Sequence, residues 1–443
     1  MRKNALIILT AAALWFCPLS SFSQEPLILT LQKSIELALT QNPSHLAAAE
    51  REDAAEAQVR EAAAAFFPSL NAQGLHTLDE KVMELEFPSF IPGEPPQKVE
   101  VDFTRDYQFS LSLNLPLFTG GRLTAGYKQA KYNLKSTRES VRQSRQSTIY
   151  QVKQAFYGYL LTRELVRVAE EAVAVAEKHH RNVNNLYEVG MASKLDLLRS
   201  EVQVANLKPQ LIKARNSLKV AEIGLKTILG LEIEQMIEVE GNLHYEPYYP
   251  DLEKCIQEAM SARPELLQIS YQKQIAQQMV KTSQASRLPT IAISGNYNYW
   301  ADKFNFKEDT WSSYYAVNLV MTIPLFNGFS SSARVAQSKS VMRELELTEK
   351  SLKDMVIFEI NQAFLNLKEA EESLQSQEKN VEQAAESLRI AELNYAEGLV
   401  THLDVSSAQA SLSQAKTYYS QALYDYVVAR AALEKAVGKG WEE

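Results

Sequence analysis

The sequence predicts a mainly α-helical, duplicated fold with transmembrane β-strands, each half running helix, helix, strand, strand, long helix, long helix. The clearest evidence is an internal repeat. Residues Gln154–Phe156 recur as Gln362–Phe364, a shift of 208 residues, and the same shift carries Tyr187–Gly190 onto Tyr395–Gly398. Because each copy spans about 200 residues, far more than one unit of a solenoid, a whole structural half is duplicated.

Composition and a seven-residue repeat predict the long helices. The 443 residues include only 15 glycines, and runs rich in Ala, Gln, Glu, Lys and Leu favour extended helix. Large residues recur every seven positions from Ile360 to Tyr395, and alanines do so from Ala408 to Ala436. A seam that pairs large with small side chains packs helices closely. A helix over 122–188 would measure about 100 Å, which requires a rod or tube rather than a compact domain.

Alternating apolar and polar residues predict four transmembrane strands. Tyr107–Leu115 alternates over its whole length, and Tyr315–Ile323 occupies the matching place in the second copy. Ile291–Tyr299 is a third such segment, and Leu70–Leu78 is a weaker fourth. The alternative is a set of half-buried strands in a soluble sandwich, but such folds need more strands than these four.

The loops that join the strands differ between the copies. Residues 79–105 are rich in proline and charge, whereas 301–310 is short, and we expect both loops to face the outside of the cell. Aromatic residues flank the second loop and predict a girdle at the membrane interface: Tyr299, Trp300, Trp311, Tyr314 and Tyr315. Prolines are expected to bracket the strands at Pro68, Pro116, Pro289 and Pro324.

These patterns divide the chain as follows: a signal peptide at 1–23, a first repeat at 24–230, an equatorial linker at 231–251, a second repeat at 252–438 and a C-terminal tail at 439–443. The predicted strands are about 69–79, 106–116, 290–300 and 311–324. The predicted long helices are about 122–188, 194–229, 329–396 and 402–437.

The N-terminus predicts export. Arg2 and Lys3 precede an apolar run and the small-x-small triplet Ser21–Ser23, so we expect cleavage after Ser23. Lipidation at Cys17 is the alternative, and the bulky Phe16 before it argues against that reading. Cleavage leaves Cys255 as the only thiol, which excludes an intramolecular disulfide.

The sequence lacks the residue patterns of a catalytic or cofactor site, so we expect no enzyme activity and no cofactor. His179 and His180 are expected near His402, which raises the possibility of metal capture. The heptad pattern instead places His180 in a packed seam and His179 on a solvated face, so we expect no metal site. Basic and acidic residues are interleaved, which gives no support to nucleic-acid binding.

The chain resembles the TolC family of outer-membrane channels. The residues that carry the resemblance are the junctions Pro116–Gly120 and Pro324–Gly328, the tips Tyr187–Gly190 and Tyr395–Gly398, and the duplicated order of elements. The resemblance implies a homotrimer with a 12-stranded β-barrel in outer-membrane lipid, continued by a 12-helix α-barrel in the periplasm. Four strands leave open edges and require assembly on physical grounds alone, but a dimer would meet the eight-strand minimum, so threefold symmetry comes from the family.

The resemblance also implies a function: a passive exit duct of a tripartite efflux or type I secretion system, joined to an inner-membrane transporter through a periplasmic adaptor. The alternative is a periplasmic coiled-coil structural or adaptor protein, which would not need alternating strands. The sequence does not identify the exported substrate or the class of transporter.

Two groups of residues carry the expected function at the ends of the long helices. The adaptor is expected to dock on the hairpin tips: Gly190, Met191, Ser193, Lys194, Gly398, Leu399, Thr401 and His402. By resemblance, the periplasmic gate is expected to involve Asp404, Asp196, Tyr395, Tyr187, Ser407 and Arg199. The family has two aspartates three residues apart and a nearby arginine, where this chain has Asp404, Ser407 and Val400. The alternative for Asp404 is a simple acid at a helix N-terminus, favoured by the dipole.

Overall fold

The computed structural model describes residues 26–78, 83–89, 91, 93, 95–101, 106–304 and 311–438. The predicted signal peptide and C-terminal tail lie outside the described residues. The elements of the first half are β1 (Leu27–Leu29), α1 (Leu31–Gln41), α2 (Pro43–Ala64), β2 (Ser69–His76), β3 (Met83–Phe87), β4 (Gln97–Val101), β5 (Tyr107–Phe118), α3 (Arg122–Glu188) and α4 (Lys194–Leu229). The linker contains β6 (Ile237–Val239), and the elements of the second half are α5 (Leu252–Ala262), α6 (Pro264–Ala285), β7 (Thr290–Ala301), β8 (Ser312–Thr322), α7 (Ser330–Ala396) and α8 (His402–Val437).

Two long helical hairpins dominate the molecule. Helices α3 and α7 have 67 residues each, and their partners α4 and α8 have 36 each. At the usual rise per residue the longer helices measure about 100 Å. The large heptad residues in the middle of α7 are buried, Ile360 fully so, and they share one core cluster with Tyr426 and Ala422 of α8. The large residues nearer the tip are half-buried: Val381, Leu388 and Tyr395. The large-and-small seam therefore closes the second hairpin along its length.

A small parallel ladder joins the N-terminal strand to the linker, near the middle of α3. Strand β1 pairs with β6 in the register Leu27↔Ile237 to Leu29↔Val239. Leu29 and Val239 are buried in one core cluster with residues of α1, α3 and α4. The sequence analysis missed both strands, because three-residue segments are too short to show a period.

The four predicted strands form one antiparallel sheet in the order β2-β5-β7-β8. The expected limits need correction. β2 ends at His76 rather than near 79, β8 ends at Thr322 rather than 324, and β5 continues to Phe118. Pro116 thus lies inside a strand, where the ladder with β7 shifts register between Pro116 and Phe118. An irregularity of this kind accommodates a residue that has no N–H to donate.

The sheet has one apolar and one polar face. Paired residues point to the same side, so the register places Phe109 and Tyr299 together, and Gln108 and Trp300 together on the opposite side. The apolar face carries Leu70, Leu111, Leu113, Ile293, Tyr297, Tyr315, Val317 and Leu319. The prediction of one aromatic girdle is wrong for two of its members, because Trp300 and Tyr314 lie on the polar face.

The segment predicted as the long loop, 79–105, contains a second antiparallel ladder. Strands β3 and β4 pair from Met83↔Val101 to Phe87↔Gln97. On this hairpin the ammonium of Lys98 lies 3.5 Å from the carboxylate of Glu84 and 3.3 Å from that of Glu86. The expectation of a loop without strands is therefore wrong here. Among the residues that the structure describes, no helix is long and apolar enough to cross a membrane.

We predict that Gly230→Ala destabilises the protein more than the matched change Gly190→Ala. Both glycines have a left-handed backbone, with φ of 74° and 78°, so both substitutions incur the penalty of that conformation, about 1–2 kcal/mol. Only at Gly230 would the new Cβ also meet backbone, 2.5 Å from the carbonyl oxygen of Gln41, whereas nothing lies within 4 Å at Gly190. Thermal unfolding of the two purified variants in the same detergent measures the difference. Equal losses would show that the contact of Gly230 with Gln41 is unimportant.

The hairpin tips as candidate functional site

The first tip, between α3 and α4, is built from standard helix-ending chemistry. Gly190 adopts φ 78°, and the N–H of Met191 donates to the carbonyl of Leu186 at 2.7 Å. Helix α4 then begins with a capping box, in which the N–H of Asp196 donates to Ser193 Oγ at 3.1 Å and Ser193 Oγ donates to the Asp196 carboxylate at 2.6 Å. The Ser193 hydroxyl lowers the pKa of Asp196 below its usual range.

The second tip, between α7 and α8, repeats this design. Gly398 adopts φ 72°, and the N–H of Leu399 donates to the carbonyl of Asn394 at 2.9 Å. The Asp404 carboxylate accepts from the Thr401 N–H at 2.8 Å and from the Thr401 hydroxyl at 2.6 Å. The hydroxyl of Thr401 lowers the pKa of Asp404, so this exposed carboxylate is held in its charged form.

Apolar side chains stand out from both tips. Met191 is 78% exposed and Leu399 is 71% exposed. Among the other expected docking residues, Ser193, Lys194 and Thr401 are also exposed, and Lys194 Nζ lies 5.4 Å from the ring centroid of Tyr187. His402 differs from the rest of this group, because it is only 5% exposed.

His402 joins the two hairpins through His179 of α3. His179 Nε2 lies 2.6 Å from His402 Nδ1. The ring planes are parallel to within 10°, and the centroids are 4.8 Å apart. At that centroid distance so short an N···N contact requires the rings to meet edge to edge through these nitrogens, not face to face. One neutral imidazole therefore donates its N–H to the lone pair of the other.

Two sequence expectations about the histidines are wrong. His179 was expected on a solvated face but is 9% exposed, and His180 was expected in the packed seam but is only half-buried. The reason is that α3 packs against both α4 and α8, so its buried surface is wider than one heptad column. His180 instead makes a hydrogen bond with Ser200 Oγ at 2.8 Å. The described residues contain no group of three or more side chains suited to hold a metal ion.

The expected gate residues fall into two sets. The first set lies around the histidine pair and consists of Tyr395, Asp196 and Arg199. We call these three residues, together with His179 and His402, the tip cluster. The Tyr395 ring centroid is 5.3 Å from that of His179, and burial and then the charge of Asp196 raise the pKa of Tyr395.

The second set is exposed to solvent at the end of α3 and the start of α8, and it consists of Tyr187, Asp404 and Ser407. Only backbone contact is seen for Ser407, whose carbonyl accepts from Ser411 Oγ at 2.9 Å. The expectation that His179 lies near His402 is confirmed, but the sequence analysis did not predict that the two rings are buried in direct contact. One signal could have suggested it: the shift of 208 residues gives neither histidine a histidine counterpart, which marks a contact made once rather than duplicated.

Electrostatics in the tip cluster favour neutral histidines. Burial, then His402 and His180, lower the pKa of His179 to about 4. Burial lowers the pKa of His402 as well, opposed by the negative charge of Asp196 and reinforced by the positive charge of Arg199. Protonating both rings would replace the shared hydrogen bond with two facing N–H groups and two like charges.

A duplicated pair of long helical hairpins, ending in capped tips at one end and an antiparallel sheet at the other, defines a class of elongated channel proteins. The match to known proteins agrees. The outer membrane efflux protein family matches residues 34–231 and 255–439. The chain belongs to this family, whose members are TolC-like channels for transport across the outer membrane, and it is located in the outer membrane.

Individual relatives share little sequence identity with this chain but align with most of its length. The outer membrane efflux protein BepC of Brucella suis is 24% identical over 76% of this chain and 73% of its own length. The alkaline protease secretion protein AprF of Pseudomonas aeruginosa is 24% identical over 76% of this chain and 72% of its own length. The crystal structure of the outer membrane protein VceC from Vibrio cholerae aligns with a TM-score of 0.74 at 19% identity, covering 93% of this chain and 97% of VceC.

We predict that the ring of His179 titrates near pH 4 in the folded protein. Its pKa is lowered from 6.5, so the histidine pair contributes its full stability above pH 6.5 and loses it as the pH falls from 6.5 toward about 4. Deuterium exchange at the ring carbon, followed by mass spectrometry of the His179 peptide across pH 3–8, measures this pKa. In His402→Gln the ring of His179 loses one source of the shift, and its pKa should rise. Titration of His179 near 6.5 in the unsubstituted protein would contradict the pairing.

Proposed function

We propose that three copies of this chain form one 12-stranded barrel in the outer membrane and one 12-helix tunnel in the periplasm, and that this homotrimer is the passive exit duct of a tripartite efflux or type I secretion system. The observation that carries the proposal is the sheet order β2-β5-β7-β8. Within the described residues, β2 and β8 each have one partner, so both edges of the sheet present unpaired N–H and C=O groups. Lipid does not tolerate such edges, and closure with further copies satisfies them.

The long helices support the same assembly. Helix α4 exposes Ile212 by 68% and Val220 by 61%, and α7 exposes Phe358 by 68% and Leu365 by 62%. Soluble surfaces rarely carry such long apolar stripes without a partner. In the proposed trimer neighbouring copies cover these stripes, and residues 231–251 form part of a belt around the tunnel. The threefold count itself comes from the family resemblance.

The alternative is a periplasmic coiled-coil rod or adaptor whose strands merely pack. A rod has no use for a four-stranded sheet with a continuous apolar face 10 residues long, about 33 Å at the usual rise per residue. Ten residues are the length that a tilted strand of a membrane barrel needs to cross the hydrocarbon core. The duct is therefore the better account of the sheet.

Fractionation and conductance test the duct directly. We expect the mature protein in the outer-membrane fraction, migrating as a trimer on gels until heated, and we expect the purified trimer to form discrete ion channels in planar bilayers. A soluble periplasmic protein, or a trimer with no conductance, would favour the rod.

We propose further that the exposed tips dock a periplasmic adaptor, which connects the duct to an inner-membrane transporter. An apolar knob on each tip, formed by Met191 and Leu399, suits insertion into an apolar pocket of a helical partner. The relatives' names mention both efflux and protease secretion, so the transporter, rather than the duct, is proposed to select the cargo.

We predict that Leu399→Arg abolishes export while trimers still reach the outer membrane. The charge would have to be buried at the docking interface, which costs several kcal/mol. Ile91→Arg is the control, because Ile91 is an apolar residue that is 59% exposed in the segment between β3 and β4, away from the tips. Export is measured as resistance to a compound that the intact system removes, alongside trimer abundance. Unchanged resistance in Leu399→Arg would place the docking surface elsewhere.

We also propose that Asp404, assisted by Asp196, forms the charged ring of the periplasmic entrance. Three copies of an exposed carboxylate around a narrow axis concentrate cations, an effect screened over about 8 Å at physiological salt. Ser407 and Val400 supply neither a second acid nor an arginine, so we propose weak block by multivalent cations and a leaky closed state.

We predict that Asp404→Asn lowers cation selectivity and removes block by trivalent cations. Asparagine keeps an oxygen that can accept from Thr401, so this change removes the charge while preserving most of the cap. Glu397→Gln is the matched control, because Glu397 is an exposed acid of the same tip. Reversal potentials in a salt gradient measure selectivity. If neither property changes in Asp404→Asn, the residue serves only to cap α8.

A further inference from the structure

The polar face of the sheet is lined by amides and hydroxyls in cross-strand layers. One layer joins Asn71, Ser112 and Asn296, and the next toward the loops joins Gln73, Ser110 and Asn298. None of the four strands β2, β5, β7 and β8 contains Asp, Glu, Lys or Arg. This face therefore offers hydrogen-bond donors and acceptors without a fixed charge.

Two aromatic residues end the polar face next to the loops. Trp300 lies opposite Gln108, and Tyr314 lies opposite Asn298. The two ring centroids are 6.5 Å apart at an angle of 62°. Tyr314 is 53% exposed. Each aromatic ring thus has a side-chain amide beside it on the same face.

These two aromatics are separate from the aromatic cluster that faces the other way. On the apolar face Tyr299 stacks on Trp311 at 4.7 Å, and Phe109 lies 5.7 Å from Trp311. Interfacial aromatics that anchor a barrel face the lipid. Trp300 and Tyr314 point away from that side, so membrane anchoring does not explain them.

We propose that Trp300 and Tyr314, with Gln108 and Asn298, form a binding collar inside the outer mouth of the duct for uncharged solutes that combine a ring with hydroxyl groups. The proposal rests on the proposed barrel, in which the polar face lines the lumen. A ring face packs on the aromatic side chains, and its hydroxyls exchange hydrogen bonds with the two amides. Threefold repetition offers three such sites to each departing molecule.

The chemistry of the collar selects neutral solutes. Amides bind hydroxyl groups in either direction, whereas a charged solute loses hydration without gaining a counter-charge from these strands. Each site is also open to the lumen, so binding is brief. Passage through a pore is fast when binding is favourable enough for the solute to enter and weak enough for it to leave. Brief, repeated binding meets both conditions.

Single-channel recording with maltohexaose, a neutral chain of sugar rings, tests the collar. We expect brief interruptions of current in the unsubstituted channel, and interruptions about tenfold shorter in Trp300→Ala/Tyr314→Ala, because two ring contacts are lost. The matched control is Tyr299→Ala/Tyr315→Ala on the apolar face, which should keep the original residence time. Polyethylene glycol of the same mass has no rings and should cause no such interruptions.

Three outcomes would overturn the collar: no interruptions by maltohexaose, equal interruptions by polyethylene glycol, or residence times that are unchanged in the double variant. If that variant fails to form channels, Tyr314→Ala alone makes the same test, because its ring is the more exposed and contributes least to packing. Absence of any conductance in the unsubstituted protein would instead contradict the proposed duct, so the two failures are distinguishable.

Discussion

The seam of large side chains against small ones is the interaction on which the rest of the structure depends. Many of the buried residues in the described part of the chain follow the contact lines between long helices, as Ile360 and Tyr426 do. Alanines such as Ala422 let the helices approach closely enough to exclude water over many turns. Because the duplicated halves keep the same helix lengths, 67 and 36 residues, both hairpins end in the same region. The tips meet there, and the opposite ends deliver four strands to one sheet.

Sequence periodicity predicted what repeats and failed where a contact is made only once. The seven-residue spacing of Ile360 and Leu367 fixed the buried side of α7, and alternation located all four strands of the main sheet. The ladder between β1 and β6 joins segments more than 200 residues apart in the chain and only three residues long, so no local pattern marks it. Pro116 was predicted to end its strand, because proline has no N–H to donate to a regular ladder. The register shift beside it lets the strand continue past Pro116, and the sequence pattern did not show that shift.

The candidate site shows the same division. The caps could be predicted, because Ser193 with Asp196 and Thr401 with Asp404 are local signatures three residues apart. The proximity of His179 to His402 was also predicted, but the burial of their contact was not, because a helix wheel for α3 alone assumes one buried column and the approach of α8 buries a second one. The polar face of the sheet lies between these cases. Alternation assigned its amides and, two residues beyond Asn298, also puts Trp300 on this face; the girdle prediction overlooked this because it grouped the aromatic residues by their position at the strand ends, and the pairing with Gln108 corrects it.

Capping and gating are compatible roles for Asp404, although the sequence presents them as alternatives. A cap that buried the carboxylate, or shared its charge with a cation, would remove it from the solution outside the tip. Here the two hydrogen bonds come from Thr401, which is neutral, and the side chain stays exposed. Hydrogen bonds to the charged form lower the pKa, so the cap does not oppose the charge that an aspartate carries at physiological pH, and it holds the carboxylate in a fixed position. A fixed, exposed and permanently negative group is what a ring of charge around an entrance requires, and the capping box is the local device that supplies it.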